Sequence, residues 1–349
     1  MPTYPISDVH LSGFGPIAGG EVTLSPTLTV ITGDNGTGKS QLLKLLYVSA
    51  RVLQEGVSRD LTKSELNRTI ADNLMGVFRP DSLGRLAGRM RGSGAASVEV
   101  GFGELEDPLS FNFSSRSKSE VKTTSIPDQF LEDPPVFLPT RELMSIYPGF
   151  VSLYNERALE FDQTWRDTCD LLGRPVLRGP RYRDIAWVLE PIEEVMDGRV
   201  VEENGRFYLQ RPGQGKIEMH LLAEGLRKLA MLARLVASGT LLDQGYLFWD
   251  EPEANLNPKT LRAVAKVIKR LAHQGVQVVT ATHSMFLLRE ISQGEEDIPA
   301  EEQPEPRYIG LADTGDGVEA TSVDDLDDLP ELAALDAELA QTDEYLAAQ

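Results

Sequence analysis

Two stretches combine residue types and spacings that can do chemistry. Residues 33–41 read GDNGTGKSQ, in which Gly33, Gly38, Lys39 and Ser40 fit the phosphate-binding spacing G-x-x-x-x-G-K-[ST]. Glycines suit that task because backbone N–H groups must wrap closely around phosphate oxygens, which Cβ atoms would obstruct. Lys39 is expected to reach the terminal phosphates of a bound nucleotide and Ser40 to hold Mg²⁺. The binding segment is therefore Gly33, Asp34, Asn35, Gly36, Thr37, Gly38, Lys39, Ser40 and Gln41, with ATP and Mg²⁺ as cofactors. The second stretch is LFWDEPEANLNP at 247–258, an apolar run that stops at two adjacent carboxylates, Asp250 and Glu251. Strand ends often carry acids merely to meet solvent. With a phosphate loop upstream the pair acquires two tasks: Asp250 supports the metal, and Glu251 orients or deprotonates an attacking water.

These residues need strands that stop and helices that start in the right places. TLTVIT (27–32) runs straight into the glycine-rich turn, and apolar positions 42, 43, 46, 50 and 53 follow at helical spacing. The order is strand, turn, helix, and a helix N-terminus favours anions. GYLFWD (245–250) reads as a second strand and VQVVTATHS (276–284) as a third, buried one. Between them lies a helix with Asn257 as N-cap, Pro258 at its first position and Gly275 at its end. This alternation predicts a parallel sheet covered on both faces. Elsewhere the pattern predicts short β runs at 6–11 and 21–24 around a turn rich in Gly and Pro, and an antiparallel pair at 97–103 and 109–114. It further predicts a strand at 135–140, mainly helical structure over 141–198, a hairpin around Asn204-Gly205 and an amphipathic helix ending at Gly239.

With those elements placed, DEPEANLNP resembles the Walker B strand end and D-loop (Asn255, Leu256, Asn257) of ATP-binding-cassette ATPases. The Thr-His-Ser at 282–284 resembles their switch histidine, which implies that His283 senses the γ-phosphate. LLAEGLRKLA resembles the signature segment, here Ala223, Glu224 and Gly225. In that family the segment caps the nucleotide of the opposite protomer, which implies a homodimer formed on ATP binding. Ala223 stands where the signature usually has Ser, and Thr140 or Arg141 where the Q-loop has Gln. From Lys39 to Gly225 the chain runs 186 residues, longer than transporter cassettes need. Over nearly its full length it resembles the stand-alone, SMC-like AAA ATPases of the AAA_15 and AAA_21 groups, relatives of the ATPase part of overcoming-lysogenization-defect nucleases. The implied fold is α/β: a P-loop NTPase of the ABC-ATPase head type, with a mixed sheet, an antiparallel β subdomain and an inserted helical lobe. The implied activity is ATP hydrolysis that drives a conformational switch, in DNA maintenance or anti-phage defence beside a separate nuclease or toxin. Two alternatives stand: a non-hydrolysing, ATP-responsive scaffold that controls such a partner, and a transporter ATPase subunit.

Composition bounds these readings. The net charge of −20 is concentrated in residues 291–349, which hold 18 acidic residues and one Arg, so residues 1–290 carry only −3. The body is therefore free to meet DNA, and the clusters Arg85/Arg89/Arg91 and Arg174/Arg178/Arg181/Arg183 are candidate phosphate contacts, with ordinary surface arginines as the other reading. One cysteine, Cys169, excludes an internal disulfide and reads as a small buried hydrophobe. No apolar run approaches the ~20 residues of a membrane span, so a cytoplasmic protein without a membrane partner is expected. Four segments follow: an ATPase lobe at 1–140, a helical lobe at 141–245, a second piece of ATPase core at 246–293, and an acidic segment at 294–349 that runs from linker to hairpin to helix.

Overall fold

A computed structural model describes residues 2–56, 62–88, 94–132, 134–157, 159–177, 182–241, 245–330, 337, 340–341 and 344–347. The chain opens with β1 (Ile6–Phe14), β2 (Ile17–Thr23) and β3 (Leu28–Gly33), then α1 (Lys39–Gly56) and α2 (Lys63–Phe78). β4 (Ala95–Phe102), β5 (Leu109–Ser114), β6 (Lys122–Ser125) and β7 (Val136–Leu138) follow. The helical section holds α3 (Tyr147–Glu156), α4 (Gln163–Leu172) and α5 (Tyr182–Met196), then the small strands β8 (Arg199–Glu203), β9 (Arg206–Arg211) and β10 (Gly215–Glu218). α6 (Glu224–Ala237), β11 (Tyr246–Asp250), α7 (Pro258–His273), β12 (Gln277–Ala281) and α8 (Met285–Ser292) complete the alternation, and β13 (Pro306–Asp313) and β14 (Val318–Val323) end it.

Eleven strands form one mixed sheet in the order β6-β5-β4-β1-β2-β14-β13-β3-β12-β11-β7. From β13 to β7 neighbouring strands are parallel, and from β2 to β6 they are antiparallel. β3, β11 and β12 are buried along their whole length, which is why they are apolar runs rather than alternating ones. Their side chains divide between two cores. Leu247 and Trp249 pack with α6 and α7, whereas Tyr246 and Phe248 pack with α1 and α2. Because the strands are parallel and in register (Ile31 with Ala281, Ala281 with Asp250), their carboxyl ends share one edge of the sheet. Ligands of open parallel sheets bind at that edge.

The structure departs from the sequence expectations at three places. The glycine-rich stretch after Leu11 is mostly strand: β1 and β2 pair as far as Phe14 with Ile17, leaving Gly15-Pro16 as the turn. Gly20 belongs there because a Cβ would lie 2.9 Å from the Ala320 carbonyl of the adjoining β14. The antiparallel pair gains β6, and the Asn204-Gly205 hairpin gains β10, both four-residue strands too short and too polar to register as alternation. The terminal hairpin does form, but inside the main sheet, with β13 paired to the P-loop strand β3. The helix expected after residue 328 lies largely outside the described residues.

Candidate nucleotide site

The turn between β3 and α1 has the form of a phosphate cradle. Gly36 and Gly38 take positive φ (87° and 98°), a conformation open to glycine, and the Cβ direction of Gly36 meets nothing within 4 Å. Asn35 and Gly36 are exposed, so the cradle faces solvent. The first helical bond runs from Leu42 N–H to the Gly38 carbonyl, so the N–H groups of Lys39, Ser40 and Gln41 precede the ladder and are available to an anion. Lys39 Nζ donates to the carbonyls of Gly33 (2.8 Å) and Asp34 (3.0 Å), bending across the loop a phosphate would fill. Burial holds its pKa below the ordinary lysine value, against the opposing pull of Glu251, Asp250, Glu253 and Asp34. Thr37 Oγ1 donates to the Asp34 carbonyl at 2.8 Å. Gln41 packs beneath the β1–β2 turn at Gly15, and its Oε1 is buried with no hydrogen-bond partner.

Ser40 Oγ donates to Asp250 Oδ1 at 2.9 Å, which brings together residues 210 positions apart. Asp250 is 8% exposed, and burial pushes its carboxyl up to about 6 even though the Ser40 bond acts the other way. A dry carboxylate beside a hydroxyl, under a cradle that opens to solvent, fits a small hard cation shared with phosphate oxygens. Mg²⁺ in such sites takes only one or two protein ligands and completes its shell with phosphate and water. Among the described residues no cluster of three or more acidic, His or Cys side chains could hold a metal unaided. Ser40 and Asp250 are the side chains here that could hold such a cation.

Glu251 lies one residue beyond the strand, in the left-handed region (φ 46°), where a non-glycine residue is uncommon. Its N–H donates to the Ala281 carbonyl at 2.9 Å. Its carbonyl accepts from Lys228 Nζ at 2.6 Å. Its carboxylate is thereby turned off the strand axis toward His283, with His283 Nδ1 3.9 Å from Glu251 Oε1. Lys228 is almost wholly buried on α6, and burial pulls its amine down to about 8 against the pull of Glu253, Glu251 and Asp250. Sequence reasoning missed this lysine, because its spacing places it among ordinary helix residues. His10 lies near Asp8 and Glu21, and His273 packs on Trp187, away from this edge.

The family model described as "AAA domain, putative AbiEii toxin, Type IV TA system" matches residues 101–289, more than half of the chain. The chain belongs to this AAA family. A second AAA-domain model matches residues 8–50, the stretch that carries the P-loop. Curated relatives include the glutamine transport ATP-binding protein GlnQ of Geobacillus stearothermophilus, 29% identical over 94 residues (26% of this chain, 37% of that protein). The histidine/lysine/arginine/ornithine transport ATP-binding protein HisP of Escherichia coli is 29% identical over 94 residues (27% and 35%). The chain spans less than half the length of the curated relatives it matches. Among solved structures, the Smc head domain with an extended coiled coil, bound to the C-terminal domain of ScpA derived from Pyrococcus furiosus, superposes with a TM-score of 0.55 at 11% identity (98% of this chain, 100% of that one). An Smc head bound to the C-winged helix domain of ScpA gives 0.54 at 13% identity (93% and 98%). At such identities the likeness is one of fold: the AAA chain has the architecture of an ABC-type ATPase head.

The remaining AAA-family segments converge on the same edge. α6 begins at Glu224 with Ala223 as N-cap, so the signature-like residues do sit at a helix N-terminus. Ala223 makes no side-chain cap, leaving that role unfilled. A Cβ on Gly225 would lie 2.6 Å from the Asn255 carbonyl and 3.0 Å from Leu256 Cδ2, so α6 rests directly on the D-loop. Asn255 is left-handed (φ 62°), and Asn257 Oδ1 accepts from Thr260 N–H at 3.0 Å to start α7. At the Q-loop position Thr140 is half-buried and Arg141 exposed, while Glu142, which sequence reasoning did not single out, turns inward. Its carboxylate accepts from Arg227 Nε and Ser145 Oγ, both at 2.7 Å, and links the segment after β7 to α6. Of the arginine clusters, Arg85 is exposed near Asp81 and Arg234 bonds the Arg174 carbonyl. Arg89, Arg91, Arg178 and Arg181 lie outside the described residues, as does the side chain of Arg183. Cys169 is buried, and its thiol is pushed up to about 12 by burial, as suits an inert packing residue. Among the described residues no helix is long and apolar enough to cross a membrane.

Proposed function

We propose that the chain hydrolyses ATP with Mg²⁺ as a nucleotide-sandwich dimer and uses the cycle to switch a separate effector. The observation that carries this reading is the 2.9 Å bond from Ser40 to Asp250, which joins the phosphate cradle to the acid pair. Ser40 and Asp250 would hold Mg²⁺, which would supply charge neutralisation at the transferred phosphoryl group. Lys39 binds the terminal phosphates, Glu251 positions and deprotonates water, and His283 meets the γ-phosphate. The cradle opens to solvent, so α6 of a second copy, with Ala223, Glu224 and Gly225 at its N-terminus, closes it and presents its unpaired N–H groups to the phosphate. The D-loop residues Asn255, Leu256 and Asn257 lie at the seam.

The family description, which concerns a putative AbiEii toxin of a type IV TA system, supports an effector of toxin type, and the Smc heads bound to ScpA domains support a protein partner for this fold. DNA is a candidate ligand of the exposed Arg85 and Arg174. Light scattering tests the core of the reading. Mass should double with Mg·ATP and remain monomeric without nucleotide, and phosphate release should rise with protein concentration as dimers form. A monomer at saturating Mg·ATP would overturn it. Adding duplex DNA at stated salt tests the ligand, since phosphate contacts weaken steeply with ionic strength.

The uncapped Ala223 favours a second reading, a scaffold that dimerises on ATP but turns over slowly. Ala223→Ser separates the two. It should stabilise the fold by about 1 kcal/mol through the restored cap. If the missing hydroxyl limits catalysis, it should also raise phosphate release by about tenfold, whereas an unchanged rate would place the limit elsewhere.

A further inference from the structure

Glu253, two residues beyond Glu251, has no role in the chemistry described so far, yet the fold treats it unusually. One of its oxygens does all the visible bonding: Oε1 accepts from Thr282 Oγ1 (2.7 Å) and from the His283 N–H (3.0 Å), and lies 3.3 Å from His283 Nδ1. The other, Oε2, is buried and has no hydrogen-bond partner. The side chain is only 10% exposed. Tying the end of β12 to the D-loop needs a single acceptor, which a neutral Gln would supply. Burying a full carboxylate is costly unless charges or donors nearby use it. The groups around it are Lys228, Lys39, Glu251, Asp250 and the imidazole of His283.

We propose that Glu253 is the positioning residue of His283, an inference that rests on the hydrolytic reading above. Its carboxylate fixes the ring through both the backbone N–H and Nδ1. An acceptor at Nδ1 selects the tautomer that carries its proton there, which is the minor form of a free imidazole in water. Nε2 is then left to face the nucleotide, and the neighbouring Glu251 can act on water without competing for Nδ1. Asp–His and Glu–His pairs orient imidazoles in this way in metal and hydrolytic sites. Glu253 itself touches neither phosphate nor water in this scheme.

The test compares Glu253→Gln, which keeps the oxygen acceptor but removes the charge that strengthens its Nδ1 contact, with His283→Ala and with the double variant. Glu253→Gln should lower kcat by about 10- to 100-fold, in line with other partners of functional histidines. ATP affinity and melting temperature should stay close to wild type. The double variant should be no slower than His283→Ala, because a residue that acts through another adds nothing once that other is gone. Independently of turnover, nitrogen correlation spectra of the imidazoles should show His283 protonated at Nδ1 in the wild-type chain, with that preference weakened in Glu253→Gln and lost in Glu253→Ala. Additive losses in the double variant, or a wild-type ring protonated at Nε2, would overturn the proposal. A wild-type chain that releases no phosphate would overturn the hydrolytic reading instead, and the spectra alone would then decide whether Glu253 sets the ring.

Discussion

Glu251→Gln is expected to cut steady-state phosphate release by about 10²- to 10⁴-fold, the usual contribution of a positioned general base. Mg·ATP binding should be retained and dimers should accumulate. The substitution is clean because the contacts that set the backbone of Glu251 do not involve its side chain. Its N–H binds Ala281, its carbonyl binds Lys228, and its left-handed φ is held from both sides. Gln has the same shape and can still bond water, but it cannot take a proton from it. Asp250 and Ser40 are untouched, so metal and nucleotide should load as before. Phosphate release together with light scattering in Mg·ATP checks both halves. Wild-type turnover by this variant would remove Glu251 from the mechanism. Loss of ATP binding would show that its role is in the ground state rather than in the reaction.

Asp250→Asn should produce an opposite pair of effects: nucleotide loses its dependence on Mg²⁺, and the metal-free chain becomes more stable. Burial raises the Asp250 carboxyl from its ordinary value of 3.8 to about 6 in the folded chain. A raised folded value means a contribution to stability that is fully present below the unfolded pKa and is lost as pH rises through about 6. At pH 8, without metal, the ionised carboxylate therefore strains the fold, and Asn removes the charge while its side-chain oxygen still accepts from Ser40. The gain should be about 3 kcal/mol at most, a rise in melting temperature of about 4 °C. The wild-type chain without metal should lose stability between about pH 4 and 7, most of it below 6, whereas the variant should stay flat across that window. In the wild type Mg·ATP should recover the loss and displace a proton below pH 6; in the variant it should do neither. Thermal melts across pH, with and without Mg·ATP, decide the matter. A wild-type curve that does not fall between about pH 4 and 7 would contradict the origin given for the shift.

Much of this site was legible because its chemistry sits in short, contiguous pieces. GDNGTGKS fixes its own turn, since two glycines in positive φ and a helix start leave the backbone few alternatives. Asn257, Pro258 and Gly275 punctuate α7 in the same local way, and Asn204-Gly205 closes its hairpin with both residues left-handed. The parts that were not legible depend on distance. Lys228 and Glu142 look like ordinary charged residues until the fold buries them against Glu251 and Arg227. Glu253 belongs to a recognisable stretch, yet its partners Thr282 and His283 are about 30 positions away. β6 and β10 carry too few apolar residues to mark themselves, and they exist because a neighbouring edge offers a ladder. The hairpin at 306–323 was readable as a hairpin, but nothing in its own alternation says that it enters the middle of the sheet.

That placement has a consequence for how the protein comes into being. The strand that carries the P-loop, β3, lies between β12 and β13, and β13 is contributed by residues 306–313, almost the whole chain away. A ribosome adding about 5–20 residues per second needs roughly 15–55 s to travel from one to the other. Until β12 is made, near residue 281, the nascent P-loop strand has no neighbour on either side in the sheet, and α1 alone can cover it. The sheet around the cradle is therefore completed only when residues 306–313 are in place, and a chain cut before β13 should leave one edge of the P-loop strand unpaired however far its N-terminal strands have paired.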